Sequence, residues 1–205
     1  MRARALVVVA LALVAIRADA APDPVARLDR ALRRTRDVQA SFVQTRKSPL
    51  LEGEERTTGT LWVRKPGDAR VEYREPSPLV IWKRGDSTWV YVPALAQVVV
   101  SESGAAGVPV SWVLGASLAE VRREADVRAA GTEVEIRPHA DAGLPWASVR
   151  IGFGPGDFPN RYVFVDAAGE EVRLDLRQVR TNRGVPADRF RPRFPPGTHV
   201  VGAGP

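Results

Sequence analysis

The stretch from Thr57 to Tyr91 places the strongest constraint on what this chain can fold into. It holds four short segments rich in Trp, Tyr and Val, and Pro and Gly separate them, which is typical of short antiparallel strands. Large apolar side chains occupy both parities of these segments. The stretch therefore predicts a curved antiparallel sheet in which one face packs a core and the other face still offers apolar surface.

Alternation along two of these strands predicts which face is the inner one. Leu61, Val63 and Lys65 lie two residues apart, and so do Val71 and Tyr73 in the next segment. Side chains with this spacing share a face of their strand, and we assign these residues to the inside. Lys65 then lies on the apolar face at the end of its strand, where it either extends its charged end to the rim or controls access to a pocket.

The rest of the chain predicts one helix followed by a long sheet. An amphipathic helix is predicted over residues 25–38, after Pro24. Two short helices joined at Gly115 are predicted within residues 107–125. Turns between strands are short, which favours antiparallel neighbours. The predicted strands span residues 39–47, 57–65, 69–75, 79–83, 87–92, 96–101, 132–138, 146–153, 159–165 and 171–178.

The N-terminus predicts export. Arg2 and Arg4 precede an apolar run over residues 5–16, and a small-x-small cleavage pattern ends at Ala20. The run is shorter than the roughly 20 residues that a membrane-spanning helix needs. We predict a secretory signal peptide over residues 1–20, and a soluble, exported mature protein that forms a single domain over residues 21–205. The chain has no Cys, so neither lipid attachment to Cys nor disulfides are expected.

Charge and motif content argue against nucleic-acid binding and catalysis. The formal net charge is +6, but basic and acidic residues alternate along the chain rather than forming a basic stripe. The two His residues, His139 and His199, are sixty residues apart, and no hydrolase, metalloprotease or phosphate-loop motif is present. We therefore predict a binding protein that is not an enzyme and uses no cofactor or metal.

Four segments carry a resemblance to a known family. They are SFVQTR at 41–46, GTLWVRKPGDARVEY at 59–73, GDSTWVYVPALAQV at 85–98 and FRPRFPPGTHVV at 190–201. In this order and spacing they resemble the outer-membrane lipoprotein carrier family, LolA. The resemblance implies a mainly β fold with short helices, in which an incomplete antiparallel β-barrel (a half-barrel) and its covering helices enclose an apolar cavity.

The resemblance also implies a function without cofactors. Carriers of this family shield lipoprotein acyl chains in the cavity and move lipoproteins through the periplasm. They receive them from an inner-membrane ABC-type release complex and deliver them to an outer-membrane acceptor. A monomer is expected, because a shuttle must diffuse and present one opening.

Site residues follow from the same resemblance. The residues expected to line the acyl cavity are Leu61, Val63, Val71, Tyr73, Leu79, Ile81, Trp89 and Tyr91. The residues expected to form a lid, with a hinge at Gly115, are Val110, Trp112, Val113 and Leu114. Lys65 occupies the position where a basic residue of the family holds the lid shut through hydrogen bonds to lid backbone. The best-known members have Arg there, whose planar fork can hold several carbonyls, whereas Lys supplies a rotatable point charge.

Two alternatives keep the fold and change the function. One is a periplasmic sensor domain that binds lipidated or misfolded protein, although sensors with this half-barrel usually carry a further domain. The other is a carrier of a different amphiphile, such as a glycolipid.

Overall fold

A computed structural model describes residues 23–49, 53–101 and 116–202. In this part of the chain, twelve strands form one open sheet with the order β12-β6-β5-β4-β3-β2-β1-β11-β10-β9-β8-β7. Neighbouring strands are antiparallel except for β12, which pairs with β6 in parallel. The strands are β1 Asp37–Lys47, β2 Glu54–Arg64, β3 Asp68–Glu75, β4 Leu79–Arg84, β5 Ser87–Val92, β6 Gln97–Ser101, β7 Ala125–Ala130, β8 Glu133–Pro138, β9 Trp146–Phe153, β10 Pro159–Asp166, β11 Glu171–Thr181 and β12 His199–Gly202. The mainly β open half-barrel predicted from the sequence is confirmed.

Two α-helices lie on the inner face of the sheet. They are α1 (Pro24–Arg34) and α2 (Leu118–Glu124), and short 3-10 helices occupy Pro93–Leu95 and Ala187–Phe190. α1 contacts β7, β8 and α2, while α2 contacts β7. Since apolar side chains of both helices point to the sheet, the core lies between the helices and the inner face.

The sequence explains the bounds of α1. The Asp23 side chain caps its start by accepting a hydrogen bond from the Val25 N–H at 3.0 Å. The helix ends at Arg34, four residues before the predicted end, because Thr35 is extended. Val38, predicted to be helical, instead lies in β1 opposite Val63. The apolar spacing matched a helix over this stretch, but strand pairing determines the conformation of its last residues.

Buried side chains from both layers form the main core. Leu28 and Leu32 of α1 and Leu118 and Val121 of α2 are at most 2% exposed. They belong to one cluster with inner-face residues of the sheet such as Phe42, Tyr162 and Phe164. Burial of these apolar side chains is the main stabilising contribution to the fold.

A second cluster covers the outer face of the sheet. Trp62 of β2 packs there with Val185 and Phe190 from the C-terminal segment. The Arg70 guanidinium lies over the rings of Trp62 and Trp82, at 5.9 Å and 5.2 Å from their centroids. The C-terminal segment therefore stabilises the outer face, while the helices cover the inner face.

Two strands were absent from the sequence prediction. No strand was predicted over the residues of β7, the first of which was expected to end a helix, and they form an edge strand that pairs with β8. β12 was not predicted, and it pairs with β6 at the other edge of the sheet. Each strand pairs on one side only within the described residues, so neither shows the strong apolar alternation of a central strand.

Candidate functional site

A continuous row of apolar side chains crosses the inner face from the core to the edge of the sheet. Directly paired residues of neighbouring strands share a face, so the strand registers define this inner row. It consists of Leu61, Val71, Ile81, Val90, Val99 and Val201. The exposed fraction rises from 1% at Leu61 to 5% at Ile81 and 41% at Val99. The inner row therefore begins inside the core and ends as an accessible apolar surface.

Six of the eight predicted lining residues lie on this inner face. They are Leu61, Val63, Val71, Tyr73, Leu79 and Ile81. Leu61, Val63 and Val71 are buried in the core cluster, Tyr73 packs against it, and Leu79 is half-buried. The structure thus brings these six together, in a conformation where the helices cover the innermost of them.

Trp89 and Tyr91 lie on the opposite, outer face, and do not join the other predicted lining residues. Trp89 pairs with Trp82, and the Tyr91 ring lies 5.8 Å from the ring of Phe194 in the C-terminal segment. Both parities of β5 are apolar, so its sequence alone does not determine the face. The register, which pairs Val90 with Ile81, puts Val90 on the inner face instead.

Tyr73, two residues along β3 from Val71 of the inner row, brings a hydroxyl group to the inner face. Its phenol donates a hydrogen bond to the Gln44 side-chain oxygen at 3.3 Å, and the rings of Tyr73 and Phe42 pack edge to face with their centroids 5.3 Å apart. Burial raises the pKa of Tyr73 to about 12. Gly59, opposite Tyr73, makes room for the Phe42 ring, since a Cβ at this position would lie 2.4 Å from it.

Lys65 connects the end of β2 to the last turn of α1. Its ammonium group donates a hydrogen bond to the Leu32 carbonyl oxygen at 2.6 Å. That carbonyl is free because α1 ends at Arg34, and the Arg36 N–H, which would bond it in a longer helix, donates to the Asn182 side chain instead. Lys65 therefore fastens the helix to the sheet.

Lys65 also faces a groove with mixed charge. The groove has a volume of about 460 Å³, and Lys83, Glu120 and Arg123 contribute to its walls. Burial lowers the pKa of Lys65, and the Glu120 carboxylate partly opposes this effect. The pKa of Glu120 is lowered mainly by its hydrogen bonds to Ser117, with which it forms the capping box of α2. The start of α2 and the end of β2 thus meet at this groove.

Arg64, next to Lys65, lies on the outer face as alternation predicts. It pairs with Asp68 at 2.5 Å, and its guanidinium lies 4.9 Å from the Phe190 ring centroid. The predicted lid residues Val110, Trp112, Val113 and Leu114 lie outside the described residues.

The described ranges, 23–49, 53–101 and 116–202, contain neither a metal cluster nor a membrane-spanning helix. No group of three or more His, Asp or Glu side chains there could hold a metal ion. None of the helices in these ranges is long and apolar enough to cross a membrane.

Sequence reasoning missed the outer part of the inner row. Val90, Val99 and Val201 belong to it, but none was predicted as a lining residue. Val99 had a detectable signal, since it lies in a run of three Val residues whose alternate members must face opposite sides. The sequence gives no such signal for Val201, because its position in the inner row depends on the pairing of β12 with β6, about a hundred residues earlier in the chain.

Comparison with known proteins agrees with this architecture. The family model for the outer membrane lipoprotein carrier protein LolA matches residues 33–193. An outer-membrane lipoprotein carrier protein of Methylibium petroleiphilum is 30% identical over 176 residues, covering 80% of this chain and 81% of the relative. One from Dechloromonas aromatica is 28% identical over 179 residues, covering 83% and 84% of the two chains.

Solved structures show the same fold at lower sequence identity. A LolA superfamily protein from Nitrosomonas europaea aligns with a TM-score of 0.54 at 16% identity, covering 84% of this chain and 99% of the other. An uncharacterized conserved protein from Thermus thermophilus aligns with a TM-score of 0.56 at 15% identity, covering 88% and 97%. Because the family model spans most of the sequence and the relatives match over most of their length, the chain belongs to the outer-membrane lipoprotein carrier family, LolA.

Proposed function

We propose that this protein carries lipoproteins through the periplasm and shields their acyl chains against the inner face of its sheet. The inner row is the observation that carries the proposal, because it offers an apolar surface that is continuous with the core and accessible at Val99. A row with this gradient lets an acyl chain bind at the exposed end first. The chain then extends inward as the helices give way.

The physics of acyl chains favours a carrier of this kind. Each methylene group exposed to water costs about 0.8 kcal/mol. A chain of about sixteen carbons therefore gains roughly 12 kcal/mol from complete shielding. A lipoprotein with several such chains needs a covered apolar surface to leave one membrane and reach the next.

Release needs a cover that opens at modest cost. We infer that α1, α2 and a lid containing Val110, Trp112, Val113 and Leu114 form this cover, and that Lys65 helps to hold it closed. The Lys65 bond to the Leu32 carbonyl supports this role. Its partner belongs to α1, so the side chain acts on the helix that covers the innermost lining residues.

The location and the partners complete the proposal. Cleavage after Ala20 would release a single domain, residues 21–205, into the periplasm. As the family implies, we propose that an inner-membrane ABC-type complex supplies the cargo and an outer-membrane acceptor receives it. The carrier acts as a monomer and performs no bond-making step.

Native mass spectrometry of the mature protein, purified from the periplasm of its own host, tests the proposal. We expect a triacylated lipoprotein bound one to one. Val99→Glu places a charge at the exposed end of the inner row and should abolish this complex. Val100→Glu is the matched control, because Val100 is the next residue of β6 and pairs with Trp89 on the outer face, so cargo should remain bound.

The outcomes are distinct. Absence of acylated cargo, or equal retention of cargo by the two variants, would overturn the assignment of the inner row. A free glycolipid in place of a lipoprotein would replace the proposed cargo with a different amphiphile. Cooperative unfolding of both variants, followed by tryptophan fluorescence, confirms that each is folded.

A further inference from the structure

A second groove runs along the side of α1, between this helix, the turn at 154–158 and β11. Its volume is about 900 Å³, within the usual range for small-molecule sites. Ala31, Phe158, Leu176 and Val179 contribute apolar surface to its walls. Leu176 also belongs to the main core, so the groove reaches the core from the side of the helix.

Three arginines of α1 line the same groove at helical spacing. Arg27, Arg30 and Arg34 are three and four residues apart, so they share one face of the helix. Arg27 has partners within the protein, because its guanidinium donates hydrogen bonds to the carbonyl oxygens of Gly154 at 3.1 Å and Gly156 at 2.6 Å. Arg27 therefore holds the turn against the helix and fixes one wall.

Arg30 and Arg34 are exposed and have no ion-pair partner among the described residues. Their neighbour Arg33 does have one, Asp29, four residues earlier on the helix. Like charges at this spacing destabilise a helix. The helix dipole favours a cation in the last turn, which accounts for Arg34 but not for Arg30.

The groove is electrostatically suited to an anion. Asp157 is the only carboxylate among its described lining residues, against three guanidinium groups. Asn182 fixes the helix end beside it, because its amide donates to the Arg34 carbonyl at 2.8 Å and its oxygen accepts from the Arg36 N–H at 2.7 Å. Arg30 and Arg34, which have no ion-pair partner among the described residues, thus lie beside the apolar side chains that line the groove.

We propose that this groove binds an amphiphile with a phosphate headgroup, with the phosphate at Arg30 and Arg34 and an acyl chain against Leu176 and Val179. The planar guanidinium donates paired hydrogen bonds that match phosphate oxygens. The apolar side chains beside the arginines favour a ligand that carries an acyl chain as well as a phosphate, and the concave shape fits one small molecule better than a flat membrane surface. This inference goes beyond the proposed function, because it concerns a headgroup site on the side of α1 and not the inner row.

Calorimetry with a soluble short-chain lipid tests the site. Dihexanoylphosphatidic acid, kept below its micellar concentration, should bind the mature protein with an affinity that falls as salt is added. Dihexanoylphosphatidylcholine, inorganic phosphate and monohexanoylglycerol should each bind at least tenfold more weakly. The double variant Arg30→Gln/Arg34→Gln should lose at least tenfold in affinity for phosphatidic acid, since a hydrogen bond to a charged group contributes about that factor.

The control variant removes the same charge elsewhere. Arg56→Gln/Arg84→Gln changes two exposed arginines of β2 and β4 that do not line the groove, and it should bind phosphatidic acid like the native protein. Equal binding of phosphatidic acid by all three proteins would overturn the proposal. If inorganic phosphate bound as tightly as phosphatidic acid, the groove would be an anion site that does not recognise an acyl chain. If an acidic peptide bound more tightly than phosphatidic acid, the groove would bind a protein partner. Either result would also overturn the proposal.

One further arm separates this proposal from the carrier function. The Arg30→Gln/Arg34→Gln variant should still copurify with triacylated lipoprotein from the periplasm. Loss of phosphatidic acid binding with retention of this cargo supports a separate headgroup site. Loss of both would show that the groove and the inner row form one site, which overturns the inference but leaves the carrier function standing.

Discussion

Replacing Lys65 with Met tests whether a single side chain fastens α1 to the sheet. Met keeps most of the length and the apolar character of the Lys stem but removes the ammonium group. The hydrogen bond to the Leu32 carbonyl at 2.6 Å is then lost. We expect α1 to separate more readily from the inner face, while the strand pairs of β2 remain intact.

The magnitude follows from the geometry of the bond. A hydrogen bond from a charged donor contributes about 1.5–3 kcal/mol, and a cation near a helix C-terminus adds about 0.3–1 kcal/mol. Burial disfavours the charged amine, as the lowered pKa of Lys65 indicates, and therefore offsets part of this gain. We expect the free energy of unfolding to fall by about 1–2 kcal/mol, equivalent to a roughly 5- to 30-fold change in population.

Lys83→Met is the matched control. Lys83 lines the same groove, but its ammonium group donates to the Gly85 carbonyl, at 2.7 Å, within its own turn. This variant should change stability by less than about 0.5 kcal/mol. Urea unfolding followed by tryptophan fluorescence gives the stabilities, and hydrogen exchange gives the protection of the α1 amides. Equal losses in the two variants, or unchanged protection of α1 in Lys65→Met, would refute the reasoning.

Two further predictions concern the packing around the inner row. Gly59→Ala should lower the free energy of unfolding by about 1–3 kcal/mol, because the new Cβ would lie 2.2 Å from the Glu72 carbonyl oxygen. Gly156→Ala is the control and should be nearly neutral in the same urea titration, because nothing lies within 4 Å of its Cβ. Similar losses at both sites would contradict the packing argument. For Tyr73, the folded-state pKa of about 12 lies above the unfolded value of about 10, so its contribution is fully present below pH 10 and is lost as the pH rises toward 12. The free energy of unfolding should therefore fall less steeply over this interval in Tyr73→Phe than in the native protein, and identical slopes would exclude Tyr73 as the titrating group.

The sequence predicted the inner face correctly where one parity was clearly more suitable for the core. In β2, Leu61 and Val63 alternate with Trp62 and Arg64, and only the first pair lies in the main core. In β5, residues 89–92 are apolar at every position, so alternation there carries no information about the face. The face on which its side chains lie is determined by the pairing of β5 with β4 and by contacts with Phe194, which is far away in sequence.

The role of Lys65 was predictable only in part. Its position at the end of an inner-face strand follows from alternation, but its partner depends on where α1 ends. A helix that continued to residue 38, as predicted, would bond the Leu32 carbonyl through the Arg36 N–H. The actual end at Arg34 results from the pairing of β1 with β2 and from the Asn182 side chain, which takes that N–H. Such contacts between distant segments cannot be derived from local spacing.

If α1 covers the acyl chains as proposed, its attachments to the sheet explain how this cover could open. Three side chains bind its backbone or connect it to neighbouring strands and turns: Arg27 at its start, and Lys65 and Asn182 at its last turn. These bonds are half-buried or exposed, so water can replace each of them at a cost of about 1–2 kcal/mol. The buried contacts of Leu28 and Leu32 are apolar, and under the proposed function an acyl chain that entered beneath the helix would replace them with contacts of the same kind. Opening around cargo would therefore replace apolar core contacts with apolar contacts to the acyl chain and a few hydrogen bonds of α1 with hydrogen bonds to water. Opening without cargo would instead expose the core to water. This difference favours a cover that stays closed when the carrier is empty and yields when a lipid chain enters.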